Sequence, residues 1–180
     1  MKGIVFTEFL DLVENKFGIE MVETIINNSK LESNGVYTSV GTYKFNEMVS
    51  LLSNLSNLTK ISENDLLMVY GLHFFDVLVK NYRSILNSYK TPLELLASID
   101  AHIHVEVRKL YPDAELPYFE ILDHSEKSLV MVYHSSRCMY AFAHGLMIKS
   151  FEHYKEKAKI NYTLLKEDGS KVRFNIQKHE

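Results

Sequence analysis

Residues 91–137 read TPLELLASIDAHIHVEVRKLYPDAELPYFEILDHSEKSLVMVYHSSR, and this stretch decides what the rest of the chain can be. It opens on Thr91-Pro92-Leu93-Glu94, a strong helix start. Thr91 can cap, Pro92 suits the first helical position because no intrahelical partner exists there for an N–H, and Glu94 closes a capping box. Leu96, Ile99, Ile103, Val107 and Leu110 come next at steps of three and four, which predicts an apolar stripe over about five turns. His104 falls roughly 90° from the centre of that stripe at ~100° per residue, at the edge of what the stripe buries. Ala101 and Ala97 lie one and two turns back on its side and are small enough to leave room beside the imidazole. His102 is the rival. Helical residues two apart point about 200° apart, so the two imidazoles cannot grip one ion together. Periodicity alone does not choose between them.

Working outward, Lys127 to Ser136 reads as a strand, with Leu129-Val130-Met131-Val132 leading into Tyr133. The strand period of two predicts Tyr133, Ser135 and Arg137 on one face. Two hydroxyls and a guanidinium fork suit an anionic ligand, because Arg pairs carboxylates through two parallel bonds.

Together these residues resemble the haem nitric oxide/oxygen binding (H-NOX) family, which includes the haem domain of soluble guanylate cyclase. The family pattern is a proximal histidine on a helix, a proline thirteen residues later and a Tyr-x-Ser-x-Arg triplet. Here these are His104, then Tyr111-Pro112 and Pro117, then Tyr133, Ser135 and Arg137. The likeness runs through the whole chain, from Met1-Lys2-Gly3 onward. It implies haem b with His104 as the iron ligand, the propionates against Tyr133, Ser135 and Arg137, and Pro117 against the porphyrin.

The same resemblance assigns Val5, Phe9, Phe74, Phe142 and Leu146 to the distal pocket. Oxygen-binding members place a tyrosine five residues after the triplet arginine, where this chain has Phe142. Oxygen on ferrous iron needs a hydrogen-bond donor, whereas nitric oxide does not, so the chain is expected to sense nitric oxide and also to take carbon monoxide. His144 and Tyr140 stand close by in sequence but should point away from Phe142. In the family nitric oxide breaks the iron–histidine bond, and relaxation of haem and protein carries the signal. No effector domain is fused, so the expected partner is a separate sensor histidine kinase or cyclic-di-GMP enzyme. The alternative is a haem enzyme that consumes nitric oxide or oxygen, against which Phe142 also argues.

The remaining chain fits an α+β class. Phe6, Phe9, Leu10, Val13 and Phe17 predict a helix ended at Gly18; Met21 to Ile26 predict a second. Leu31 to Lys44 reads as a loop, followed by helices from Phe45 to Leu55, from Ser62 through Val77, and from Asn81 to Tyr89. After the Pro112–Pro117 turn come the Phe119 region, the Leu129 strand, and a helix from about Arg137 to Lys157. Alternation at Ile160, Tyr162, Leu164 and at Val172, Phe174, Ile176 around Glu167-Asp168-Gly169-Ser170 predicts a hairpin. The expected organisation is one domain over 1–180. An N-terminal helical subdomain of about 1–60 would pack on a haem-ligating subdomain of about 61–180, with a small antiparallel sheet and haem between them.

Composition narrows the alternatives. With 180 residues, 46% of them hydrophobic, the chain can build a sizeable core. A net charge of −3 argues against a nucleic-acid partner. The single cysteine, Cys138, excludes an internal disulfide. No apolar run approaches the ~20 residues of a membrane span, and no signal region opens the chain, so a cytoplasmic location is expected.

Overall fold

The structure is a computed structural model that describes residues 1–179. Its elements are α1 (Gly3–Phe17), α2 (Ile19–Asn27), α3 (Phe45–Thr59), α4 (Glu63–Asn81), α5 (Arg83–Leu86), α6 (Pro92–Ala97), a π turn (Ile99–Ile103), α7 (His104–Leu110), β1 (Tyr118–His124), β2 (Ser128–His134), α8 (Tyr140–His153), β3 (Ala158–Leu164) and β4 (Lys171–Lys178). The class is α+β, as expected. No helix among the described residues is long and apolar enough to cross a membrane. The chain divides into two compact units, Met1–Tyr70 and Gly71–Glu180.

In the first unit the core is Phe6, Phe9, Val13, Ile25, Met48, Leu51 and Leu55, all essentially inaccessible. The α1 stripe is set a little differently from the prediction: Leu12 is buried, while Phe17 is exposed beside the Gly18 cap. Gly18 adopts φ +85°, closes α1 through its N–H to Glu14 O, and lets α2 begin at once. The segment between α2 and α3 has no regular structure, but it is well tied. Glu47 is buried at 5% exposure, and its Oε2 accepts from Ser33 Oγ (2.5 Å) and Tyr37 Oη (2.7 Å). Burial pushes the Tyr37 phenol well above its usual range. Tyr37 stacks on Phe6 at 4.5 Å, and Gly3 N donates to Gly41 O at 2.8 Å.

The second unit is built on a four-stranded antiparallel sheet in the order β1-β2-β4-β3. The predicted hairpin is β3–β4, and the Phe119 region is the edge strand β1, with a bulge between Ile121 and Asp123. Leu129, Met131, Val172, Phe174 and Ile176 are buried on the sheet, and α6 and α8 pack against it. Gly71, in α4, is a close-approach glycine. A Cβ there would lie 2.2 Å from the Phe142 carbonyl oxygen of α8.

Three expectations are corrected here. The helix after Thr91 is not continuous. Thr91 Oγ1 accepts from Glu94 N (3.2 Å) as predicted, but at Ser98 the ladder widens, with both His102 N and Ile103 N bonded to Ser98 O. The extra residue in that turn rotates α7 by roughly 100° relative to α6, so one stripe cannot persist. Leu110, predicted on the stripe, is 59% exposed. The fifth helix is only the four residues of α5. The last helix runs from Tyr140 to His153 rather than from Arg137 to Lys157.

Candidate functional site

The π turn sends the two histidines to different surroundings. His104 opens α7 and is 8% exposed, the only buried residue of that helix. Its Nδ1 lies 2.8 Å from Asp100 Oδ1, four residues back across the π turn. The second oxygen of the same carboxylate accepts the backbone N–H of Phe119, the second residue of β1. His102 goes elsewhere, its Nδ1 bonded to the Tyr89 hydroxyl. Burial lowers the His104 pKa, Asp100 acting in the opposite direction, so the ring is neutral at pH 7. With Nδ1–H donating to Asp100, the lone pair sits on Nε2. That is the tautomer an iron ligand needs, so the donor chemistry fits a haem. Among the described residues no cluster of three His, Cys, Asp or Glu side chains gathers to hold a bare metal ion.

The triplet is brought together by a turn and not by a strand face. β2 ends at His134, so Ser135 and Arg137 lie beyond it and the period of two does not reach them. Tyr133 is buried on β2 and its oxygen accepts from Met139 N at 3.0 Å. Burial raises its phenol pKa, while a bond to Ser135 pulls it the other way. Ser135 Oγ accepts from Arg137 N (3.2 Å), and Ser135 N donates to Ser170 O in the β3–β4 connection (2.9 Å). Cys138 completes the turn in the left-handed region, φ +54°. The Arg137 guanidinium reaches back to the loop before β1: Nη1 donates to Glu115 O (2.9 Å) and Nη2 to Glu115 Oε2 (2.6 Å). Pro117, half-buried, stands two residues on from Glu115, next to the start of β1.

The other expected pocket residues are placed unit by unit. In the first, Phe9 is buried with its ring 5.4 Å from Tyr70, and the Val5 carbonyl accepts from the Tyr70 hydroxyl at 2.6 Å. In the second, the Phe74 and Phe142 rings are 5.5 Å apart. Leu146 packs against the cluster of Phe75, Leu86 and Leu95. On α8, Tyr140 lies 5.3 Å and His144 5.4 Å from the Tyr162 ring of β3, on the sheet side.

Three residues escaped the sequence reading. Asp100 stands at the i−4 helical spacing from His104, a signal that was available. Gly71 is a glycine inside a helical pattern, which points to a packing role. Glu115 is in a loop, where no periodicity could mark it.

A family model described as Haem-NO-binding matches residues 2–162. No curated protein matches the chain. Among solved structures it is similar to an Fe(II) unliganded H-NOX protein from K. algicida, at 58% identity over 100% of this chain and 97% of that one, with a TM-score of 0.98. An H-NOX from Shewanella woodyi, solved in solution in the Fe(II)CO state with IWP-051 bound, is 36% identical over 99% of this chain and 95% of that one, TM-score 0.83. An H-NOX protein from S. oneidensis in the Fe(II)NO state shares the fold at 22% identity, covering 100% of both chains, TM-score 0.92.

Proposed function

The chain belongs to the haem-NO-binding, or H-NOX, family, and from that premise we propose that it is a nitric oxide sensor using ferrous haem b. Domains of this family are gas sensors, not enzymes. The haem would supply the iron that binds nitric oxide or carbon monoxide. His104 would hold it through Nε2, its Nδ1 being committed to Asp100. Arg137 would take a propionate through the fork its guanidinium offers, with Tyr133 and Ser135 adding hydroxyls. Pro117 would bear on the porphyrin edge. Release of His104 would be the signal, and it would pass in the cytoplasm to a separate sensor histidine kinase or cyclic-di-GMP enzyme that binds the two states with different affinity.

The observation that carries the choice of gas is Phe142. It presents a ring to Phe74 and has no hydroxyl, while the polar groups of α8 nearest to it, Tyr140 and His144, lie against Tyr162. A hydrogen bond to a charged acceptor is worth about 1.5–3 kcal/mol, or roughly one to two decades in an oxygen dissociation constant. Nitric oxide depends far less on such a donor. The test is the absorption spectrum of the reduced protein under nitric oxide, carbon monoxide and air. Spectral shifts with the first two and no stable oxygen complex are expected, and Phe142→Tyr should gain oxygen affinity. A stable oxygen complex in the unmodified protein refutes the nitric oxide-only reading.

A further inference from the structure

We propose that Asp100 is a positioning residue for the iron–histidine bond: its carboxylate fixes Nε2 of His104 as the ligating nitrogen and strengthens that bond, so it sets how readily nitric oxide releases the histidine. The inference rests on the haem reading above, and it concerns a residue that touches neither haem nor gas.

The geometry carries it in three steps. First, the carboxylate is engaged at both oxygens, Oδ1 with His104 Nδ1 at 2.8 Å and Oδ2 with the Phe119 amide of β1. A side chain pinned to a strand amide cannot swing away, so the imidazole it holds is pinned as well. Second, the pair is sheltered: the side chains of His104 and Asp100 are 10% and 23% exposed, and the Phe119 ring stands 6.1 Å from the imidazole. A charge-assisted bond out of bulk water is stronger than the same bond at the surface. Third, a proton shared from Nδ1 toward a carboxylate leaves the ring more electron-rich, which raises the basicity of Nε2 toward a metal. Arg108, one turn on from His104 in α7, is the opposing charge at this site. It acts without a direct bond to the ring, so the carboxylate dominates.

A plain structural role would tie the π turn to β1 and do nothing to the ligand. The two roles separate experimentally. In the reduced, haem-loaded protein, Asp100→Asn should move the iron–histidine stretching band in the resonance Raman spectrum to lower frequency; an unmoved band overturns the proposal. A second measurement does not depend on that variant folding. His104→Gly protein is reconstituted with haem and titrated with imidazole and with 1-methylimidazole, which cannot donate from its second nitrogen. The preference for imidazole should exceed the same preference for ferrous haem in detergent micelles by about 10- to 100-fold, the usual effect of an outer-shell partner. Equal preferences in protein and micelle also overturn the proposal. If unmodified protein takes up no haem at all, it is the sensor reading that has failed. If haem binds and both measurements are flat, only the role given to Asp100 has failed.

Discussion

Replacing Arg137 by alanine should leave the fold nearly as stable as before while sharply weakening haem retention. The guanidinium bonds Glu115 twice: once to its carbonyl at 2.9 Å and once to its carboxylate at 2.6 Å. The Arg137 side chain is 17% exposed but that of Glu115 is 84% exposed, so the ion pair is worth only about 0–1 kcal/mol. The Glu115 groups left behind turn to water. The turn itself is closed by the Arg137 backbone N–H on Ser135 Oγ, which alanine keeps. Against this small loss stands a charge-assisted bond to a propionate, about 1.5–3 kcal/mol, or roughly 10- to 100-fold in haem affinity. The assay is the rate of haem transfer to an excess of a scavenging protein, beside thermal melting of the haem-free variants. Ser135→Ala should lose haem more slowly than Arg137→Ala, and Arg137→Lys should fall between, keeping charge but not the fork. Equal haem-loss rates for unmodified protein and Arg137→Ala would take the propionate role from this residue.

His104→Gly should abolish or greatly weaken haem retention, restored by free imidazole, whereas His102→Ala, which loses its bond to Tyr89, should keep a normal haem spectrum; the reverse pattern would mean the ligand is misassigned. Gly71→Ala drives a Cβ to 2.2 Å from the Phe142 carbonyl, a backbone atom of a packed helix, so denaturant melts should show a loss of about 1–3 kcal/mol, and an unchanged midpoint would show that α4 and α8 can separate at no cost. His144 has its pKa lowered by burial against Tyr162 and Phe174, although its contact with the Ile160 backbone favours the charged form. The unfolded chain then binds the proton that the folded chain refuses, so this contribution is complete above the ordinary histidine value of about 6.5 and is lost as pH falls through the lowered one. His144→Gln should therefore flatten the decline in melting temperature between neutral pH and about pH 5; an equal decline in both proteins would count against it.

The family pattern was legible because its spacing is a matter of sequence: His104, Pro117 and the triplet keep their separations whatever the backbone does between them. Their local geometry was less so. The five-turn stripe from Leu96 to Leu110 assumed one helical period, and a single widened turn at Ser98 undid it, turning Leu110 outward and His104 inward. Nothing in the apolar pattern reports which carbonyl an amide will choose. The expected strand face at Tyr133, Ser135 and Arg137 failed for a related reason. Alternation holds only while the ladder continues, and the β2 ladder ends at His134, where Ser135 N turns to Ser170. The β3–β4 hairpin was readable because alternating apolar residues flank a turn sequence and nothing interrupts the period.

The buried Glu47 carboxylate has a consequence for how the first unit comes apart. The segment between α2 and α3 has almost no ladder of its own, so its order is borrowed from Ser33 and Tyr37 on Glu47 and from Gly41 and Ser39 on the amides of Gly3 and Ile4. A carboxylate stripped of its donors in that position is costly to leave dry. The loss of either hydroxyl therefore favours the loss of the other and the entry of water. Such a segment does not fray residue by residue from one end. It opens as a single cooperative step, and amide exchange between Ser33 and Tyr43 should run at one common free energy, lower than that of the α1 and α3 helices that bracket it.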